Sequence, residues 1–301
     1  MASRFVVRAE EAGERLDRLV ARHVPGVGRR RARELFAEGH VRAAGRLVRG
    51  AAPANAGDEV VVELSDDAAL PDPALALDVR FELDALAVVY KPAGQASAPL
   101  RAGELGTLAN AVVRRYPETA GIGHRLREPG LLHRLDTQTS GLVVVARTPG
   151  AFDALARALQ AERLEKRYLA LTAKLDLPDS GVVDLPLAPD PHKHGRVVVV
   201  AGATGYARDA VTRYHVLERH ERACLLEVHA ARAFRHQIRA HLASVGAPLI
   251  GDVLYGGAAF PDGSERHALH ASYVAWAGDT TLPSFEVSAA LPVDLSDLLG
   301  R

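Results

Sequence analysis

The sequence predicts an α+β chain made of two units, and three observations point there. The apolar residues switch between a helical period and short strand-like runs along the whole length, with no internal repeat. Residues 65–78 are a stretch of Ser, Asp, Ala, Leu and Pro without lysine or arginine, in which Pro71 and Pro73 break any helix. A length of 301 residues suits one large domain with a smaller companion. The expected boundaries are a small αβ unit over 1–64, an acidic linker over 65–78 and a larger unit over 79–301.

In the first unit, an amphipathic helix begins at Arg15-Leu16-Asp17-Arg18-Leu19-Val20. A second runs from Arg29 through Leu35-Phe36 and stops at Gly39. A strand at Val41-Arg42 turns back through Leu47-Val48, and a closing strand spans 59–64. Two helices with a small sheet, in this order and size, resemble the S4 RNA-binding domain. The resemblance implies that Arg29, Arg30, Arg31 and Arg33 face phosphates, since a helix start offers free N–H groups and a positive dipole end. The competing reading of such a run is a solvated helix face.

The composition is 48% hydrophobic and 25% charged, as expected of a globular protein. Aromatic residues make up only 5%, so Ala, Val and Leu must build the core. Thirty-seven basic residues balance 37 acidic ones, which argues against a uniformly basic nucleic-acid coat but leaves patches open. Lysine is confined to Lys91, Lys166, Lys174 and Lys193. The single cysteine, Cys224, lies in a strand-like run and reads as a buried thiol. No stretch is apolar enough to cross a bilayer and the first residues lack an apolar signal core, so a cytoplasmic protein is expected.

In the larger unit, residues 86–90 read as a strand entering the turn Lys91-Pro92-Ala93-Gly94. Thr107 is placed to cap a helix carrying Leu108, Ala111, Val112 and Tyr116. Leu142 to Ala146 reads as a buried strand, and Thr148-Pro149 opens a helix with Phe152, Leu155, Ala156 and Leu159 on one face. A further helix carries Ile238, Leu242 and Val245 and ends at Gly246. Asp136 sits in a polar loop at the mouth of the buried strand, after His133 and Arg134 and before Thr137, Thr139 and Ser140. A carboxylate there can be both held and reached, and a nearby guanidinium would keep it ionised and nucleophilic. On these residues alone, an Asp beside an Arg is more often a structural pair.

His133-Arg134-Leu135-Asp136 followed by Thr139-Ser140-Gly141-Leu142 resembles the signature of the RluA family of pseudouridine synthases. Further pieces follow in that family's order: the Lys91-Pro92 turn, Lys166-Arg167-Tyr168, the stretch from Thr212-Arg213-Tyr214 through Val216-Leu217, His236-Gln237-Ile238-Arg239, Gly251-Asp252 with Tyr255-Gly256, and Ala268-Leu269-His270. The likeness runs from about Val79 to the C-terminus. It implies an α+β catalytic domain with a mixed, mainly antiparallel sheet flanked by helices. It also implies an isomerase that turns uridine into pseudouridine on a base taken out of the stack. Asp136 would be the nucleophile, with attack on sugar or base, or removal of a sugar proton, left open. Arg239 would hold Asp136 charged, and Tyr168 would pack on the base and move a proton at C5. Arg134 would fill the gap the base leaves, and His133, Lys166 and Gln237 would join it in binding the substrate. The chemistry needs neither a metal nor an organic cofactor. Thirteen histidines show no zinc-like spacing, and Gly202-Ala203-Thr204-Gly205 lacks a nucleotide-binding context. One departure is Arg232-Ala233-Phe234-Arg235, where the family usually carries a Thr-Gly-Arg-Thr stretch.

The expectation is a monomeric enzyme, with structured RNA as its partner and no membrane. Its substrate would be large-subunit ribosomal RNA, with transfer RNA as the alternative. Two rivals are a non-catalytic RNA-binding or ribosome-assembly factor and a small-molecule glycosyl-bond enzyme, which would have no use for an Arg-rich N-terminal unit.

Overall fold

Leu16, Leu19 and Val20 share one helical face, and Leu35 and Phe36 another. These two faces close over a small sheet to form the first unit. The computed structural model describes residues 2–24, 27, 29–49, 52–63, 68–200, 206–231 and 234–300. The chain divides into two units, Met1–Asp67 and Ala68–Arg301. The first holds β1 (Ala2–Val6), α1 (Leu16–His23), α2 (Arg29–Ala37), β2 (Val41–Ala43), β3 (Arg46–Leu47) and β4 (Glu59–Glu63). Its antiparallel sheet has the order β1-β4-β2-β3, and Val41, Val60 and Val62 face the helices. Strand β1 has no counterpart in the sequence expectations. It is an edge strand with exposed and half-buried residues alternating, so hydrophobic patterning marks it weakly. Buried Asp17 ties the two helices together by accepting from Arg15 Nε at 2.9 Å and from Arg33 Nε at 3.3 Å. Arg33 is therefore partly engaged within the unit. The side chains of Arg29, Arg30 and Arg31 lie outside the described residues.

Of the expected linker, residues 65–67 also lie outside the described residues. From Ala68 on the segment is packed, in contrast to the expectation. Buried Asp72 accepts from the amides of Ala74 and Gly106 at 2.9 and 3.0 Å. Asn110 Nδ2 donates to the Leu70 carbonyl at 2.7 Å, and Arg114 to that of Leu75 at 2.6 Å. Pro71 and Pro73 break periodicity without freeing the chain, because side chains from α3 (Leu108–Arg115) and the loop before it take up its polar groups.

The second unit continues with β5 (Asp78–Glu82) and β6 (Leu86–Lys91), and α3 leads to β7 (Ser140–Ala146). Next come α4 (Pro149–Gln160), β8 (Leu164–Thr172), β9 (Ser180–Asp184), β10 (Leu187–Pro189) and β11 (Val197–Val199). The chain ends with β12 (Val211–Arg219), β13 (Cys224–His229), α5 (Gln237–Ser244), β14 (Leu269–Trp276), β15 (Phe285–Ser288) and α6 (Val293–Ser296). Among the described residues a nine-stranded sheet runs β5-β6-β7-β14-β8-β13-β12-β9, with β15 also pairing β14. Every pairing in it is antiparallel except that of β7 with β14, so the sheet is mixed and mainly antiparallel, as expected.

Side chains alternate across the strands. Ala87, Val89, Val143 and Val145 pack with α3 and α5, and Leu86, Val88, Leu142 and Val144 pack with α4. The parallel contact is only two residues long, His270 beside Ser140 and Ala271 beside Gly141. Gly141 has φ +122°, and a Cβ there would lie 2.2 Å from the Ala271 carbonyl oxygen. Glycine is thus required where the chain leaves the polar loop and enters the sheet. Thr107 caps α3 and Thr148 caps α4, as their positions before apolar periods suggest. Cys224 is buried in β13.

Candidate active site

The loop before β7 is fastened from three directions. Ser97 Oγ donates to the Leu135 carbonyl at 2.7 Å and accepts from the Leu135 amide at 3.0 Å, clipping the residue before Asp136. Behind the loop, Lys91 is completely buried, and its Nζ donates to the carbonyls of Pro92, Gln95 and Thr137 at 2.9, 2.7 and 3.1 Å. Burial, with Arg266 nearby, pushes the Lys91 ammonium down to about 7. Arg266 bonds the Gln138 carbonyl, donates to Ser140 Oγ at 2.9 Å, and is itself fixed by Asp294 of α6 at 2.8 Å. Two buried histidines complete the frame: His267 Nε2 is 2.8 Å from Thr139 Oγ1, and His270 Nδ1 is 2.9 Å from Ser140 Oγ. Burial holds them neutral, at about 3 and about 4. A loop with this many partners is pre-organised.

At its tip, Asp136 meets α5. Arg239 Nη1 donates to Asp136 Oδ2 at 3.0 Å, while its Nε and Nη2 donate to Asp252 at 2.7 and 2.8 Å. Asp252 is 2% exposed and Arg239 7%, so this bidentate pair fixes the guanidinium from behind. His236 lies on the other side, its Nε2 3.7 Å from Asp136 Oδ2 and its Nδ1 3.1 Å from the Tyr255 hydroxyl. Its backbone adopts φ +56° just before α5, a left-handed conformation that aims the ring back at the loop. Burial opposes ionisation of Asp136, but the positive field of His236, Arg239 and His267 outweighs it and holds the carboxyl below the usual range. Burial also lowers both histidines, so the permanent charge of Arg239 carries the effect at neutral pH.

Strand β8 supplies the opposite wall. Lys166 and Tyr168 are 6% and 4% exposed and point to the same side, being two residues apart on a strand. Burial lowers the Lys166 ammonium to about 8. Burial, and then the Asp136 charge, raise the Tyr168 hydroxyl well above its usual value. His133 is held neutral, at about 3, by burial and by the Lys166 charge, and its Nε2 accepts from the Val144 amide at 3.4 Å.

Two of the expected substrate-binding residues have partners within the protein. The Arg134 guanidinium is half exposed and pairs with Glu128 at 3.0 Å. Gln237 is 1% exposed and spends its amide on the protein. It donates to the Val211 carbonyl and Thr212 Oγ1 at 2.9 and 3.2 Å and accepts from the Phe234 amide at 3.0 Å. An amide beside a basic motif suggests recognition, but here it pins α5 to β12. Arg232 and Ala233, in the departing stretch, lie outside the described residues. The sequence reading assigned no role to Asp252, Lys91, Arg266 or His267. The first two stand in quoted motifs, and their signal was a charged residue of fixed place beside glycine or proline.

The chain matches the family model described as RNA pseudouridylate synthase over residues 85–244. It is 37% identical over 300 residues to an RNA pseudouridine synthase of Chloroflexus aurantiacus, covering 98% of this chain and 92% of the relative. It is 34% identical over 311 residues to the ribosomal large subunit pseudouridine synthase D of Xanthomonas campestris, covering 98% and 91%. Among solved structures, human RNA pseudouridylate synthase domain containing 4 shares its fold. The TM-score is 0.57 at 23% identity, over 74% of this chain and 92% of that one. Family model and relatives agree with the ordered motifs, and the chain belongs to the RluA family of RNA pseudouridine synthases, enzymes that isomerise uridine in RNA.

Proposed function

We propose that Asp136 is the nucleophile of the isomerisation and acts on a uridine turned out of the RNA. The observation that carries this is the Asp252–Arg239–Asp136 chain of charge-assisted hydrogen bonds, which keeps a reachable carboxylate ionised in a largely buried site. Reaction at C1′, or at the neighbouring base and sugar atoms, needs the nucleotide out of its stack. The buried face of Tyr168 gives the extruded base a flat partner. The substrate we favour is large-subunit ribosomal RNA, the substrate in the name of the Xanthomonas relative. The N-terminal unit, with two helices over a small sheet in the S4 order, would dock that RNA through phosphates.

Asp136→Asn should bind RNA within about threefold of wild type yet form no pseudouridine, as mutation of a reacting group removes turnover and spares binding. Wild-type turnover by this variant would end the assignment. Mapping pseudouridines in ribosomal and transfer RNA from a strain lacking the protein separates the two substrates: sites missing only from transfer RNA would replace the ribosomal reading.

A further inference from the structure

Among the described residues, the buried cations around Asp136 have acceptors with the exception of Lys166. Arg239 has its donors on two carboxylates, Lys91 on three carbonyls, Arg266 on Asp294, Ser140 and the loop, and Arg134 on Glu128. Lys166 has no hydrogen bond or ion pair to any described residue, although it is 6% exposed. The Tyr168 hydroxyl, on the same face of β8, has none either among the described residues. The nucleophile loop runs beside these two: His133 feels the Lys166 charge and Tyr168 feels that of Asp136. Neither polar atom is among the fully enclosed atoms that lack a partner, so the Lys166 ammonium tops a buried stem and is open to a ligand beside the loop.

Resting on the reading that Asp136 drives uridine isomerisation, we propose that Lys166 is a catalytic residue whose ammonium donates to a carbonyl oxygen of the detached uracil. Breaking C1′–N1 leaves the bonding pair on the base, and its negative charge spreads to the ring oxygens. Asp136 meanwhile bonds C1′ or takes a sugar proton. The base then turns, C5 bonds C1′ as the carboxylate is restored, C5 loses its proton and N1 gains one, so atoms and charge balance. During the turn the negative charge resides on the base, and adjacent strand positions on one face, about 7 Å apart, set the ammonium beside a ring packed on Tyr168. A fixed cation aimed at developing charge stabilises the transition state more than the ground state.

The test is single-turnover conversion of an RNA substrate by the full chain, with RNA affinity measured alongside. Lys166→Met should slow conversion by about 10²–10³-fold, the usual effect of losing one such donor, and leave affinity within about threefold. The loss should shrink for C1′–N1 cleavage on RNA carrying 5-fluorouridine, whose base is the more acidic leaving group and depends less on the cation; it is read as disappearance of the N-linked nucleoside, because fluorine at C5 leaves no proton for the last step. Lys166→Arg, which keeps the charge, should recover most of the rate, whereas a merely structural lysine would show no fluorine dependence. Equal losses of affinity and rate, or the same deficit on both RNAs, would overturn the proposal. So would a wild-type rate in Lys166→Met. Asp136→Asn is run in parallel: if it stays active the nucleophile reading fails, and if it is dead while Lys166→Met is normal only this inference fails.

Discussion

The Arg239 cluster on α5 and the Lys166–Tyr168 face of β8 flank the same carboxylate, but they treat polar groups in opposite ways. On the α5 side each guanidinium nitrogen of Arg239 has an acceptor at 2.7–3.0 Å. On the β8 side the side chains of Lys166 and Tyr168 are buried and their polar tips have no partner among the described residues. The first region is finished before substrate arrives, so it can hold Asp136 in place and ionised without reorganising. The second is completed only by a ligand.

Breaking the finished side should have the largest effect. Arg239→Met leaves Asp252 and Asp136 facing each other across a buried gap, costing about 3–5 kcal/mol of stability and essentially all turnover. Urea unfolding reads the first and pseudouridine formation the second. Adding Asp252→Leu should restore much of the stability and none of the activity, and recovery of activity would show that Arg239 only holds the fold. Asp252→Asn comes next. It loses the bidentate grip and should lower turnover by about 10–100-fold while RNA affinity holds, as for an orienting partner behind an active group. An affinity loss equal to the rate loss would instead place Asp252 in RNA binding.

A third outcome concerns pH. His267 and His270 are buried neutral, at about 3 and about 4 against an unfolded value of 6.5. Their contribution is present in full above pH 6.5 and is lost as the pH falls towards those folded values, because the unfolded chain takes up protons first. Melting temperature should therefore drop on acidification from pH 7 to 5, and His270→Asn should flatten that slope. An unchanged slope would show that His270 titrates normally. The smallest effect is expected at Arg134→Ala, which removes a half-exposed pair with Glu128. Less than about 1 kcal/mol of stability should go with it, and a large fall in RNA affinity would restore its expected role at the base's vacated place.

Much of this was legible in the chain itself. A threonine before an apolar helical period becomes the cap of α3 or α4, and seven consecutive small or apolar residues become the fully buried β7. The ordered motifs brought out Asp136, Tyr168 and Arg239, because residue type and order around them are local properties of the sequence. Strand β1 and the packing of residues 68–78 were not legible, since an edge strand and an aperiodic strap leave no regular pattern.

Which groups are shared depends on contacts that form only on folding. Arg239 and Asp136 are 103 residues apart, and Thr139 and His267 are 128 apart. No period or spacing encodes that one guanidinium divides itself between Asp136 and Asp252. Nor does any encode that Gln237 turns inward to Val211 while Lys166 is left waiting. Chemical types and their order are written in the chain. The sheet, by bringing β7, β8 and β14 side by side with α5 against them, determined which charges are spent and which remain for RNA, because pairing depends on distance and burial that only the folded chain supplies.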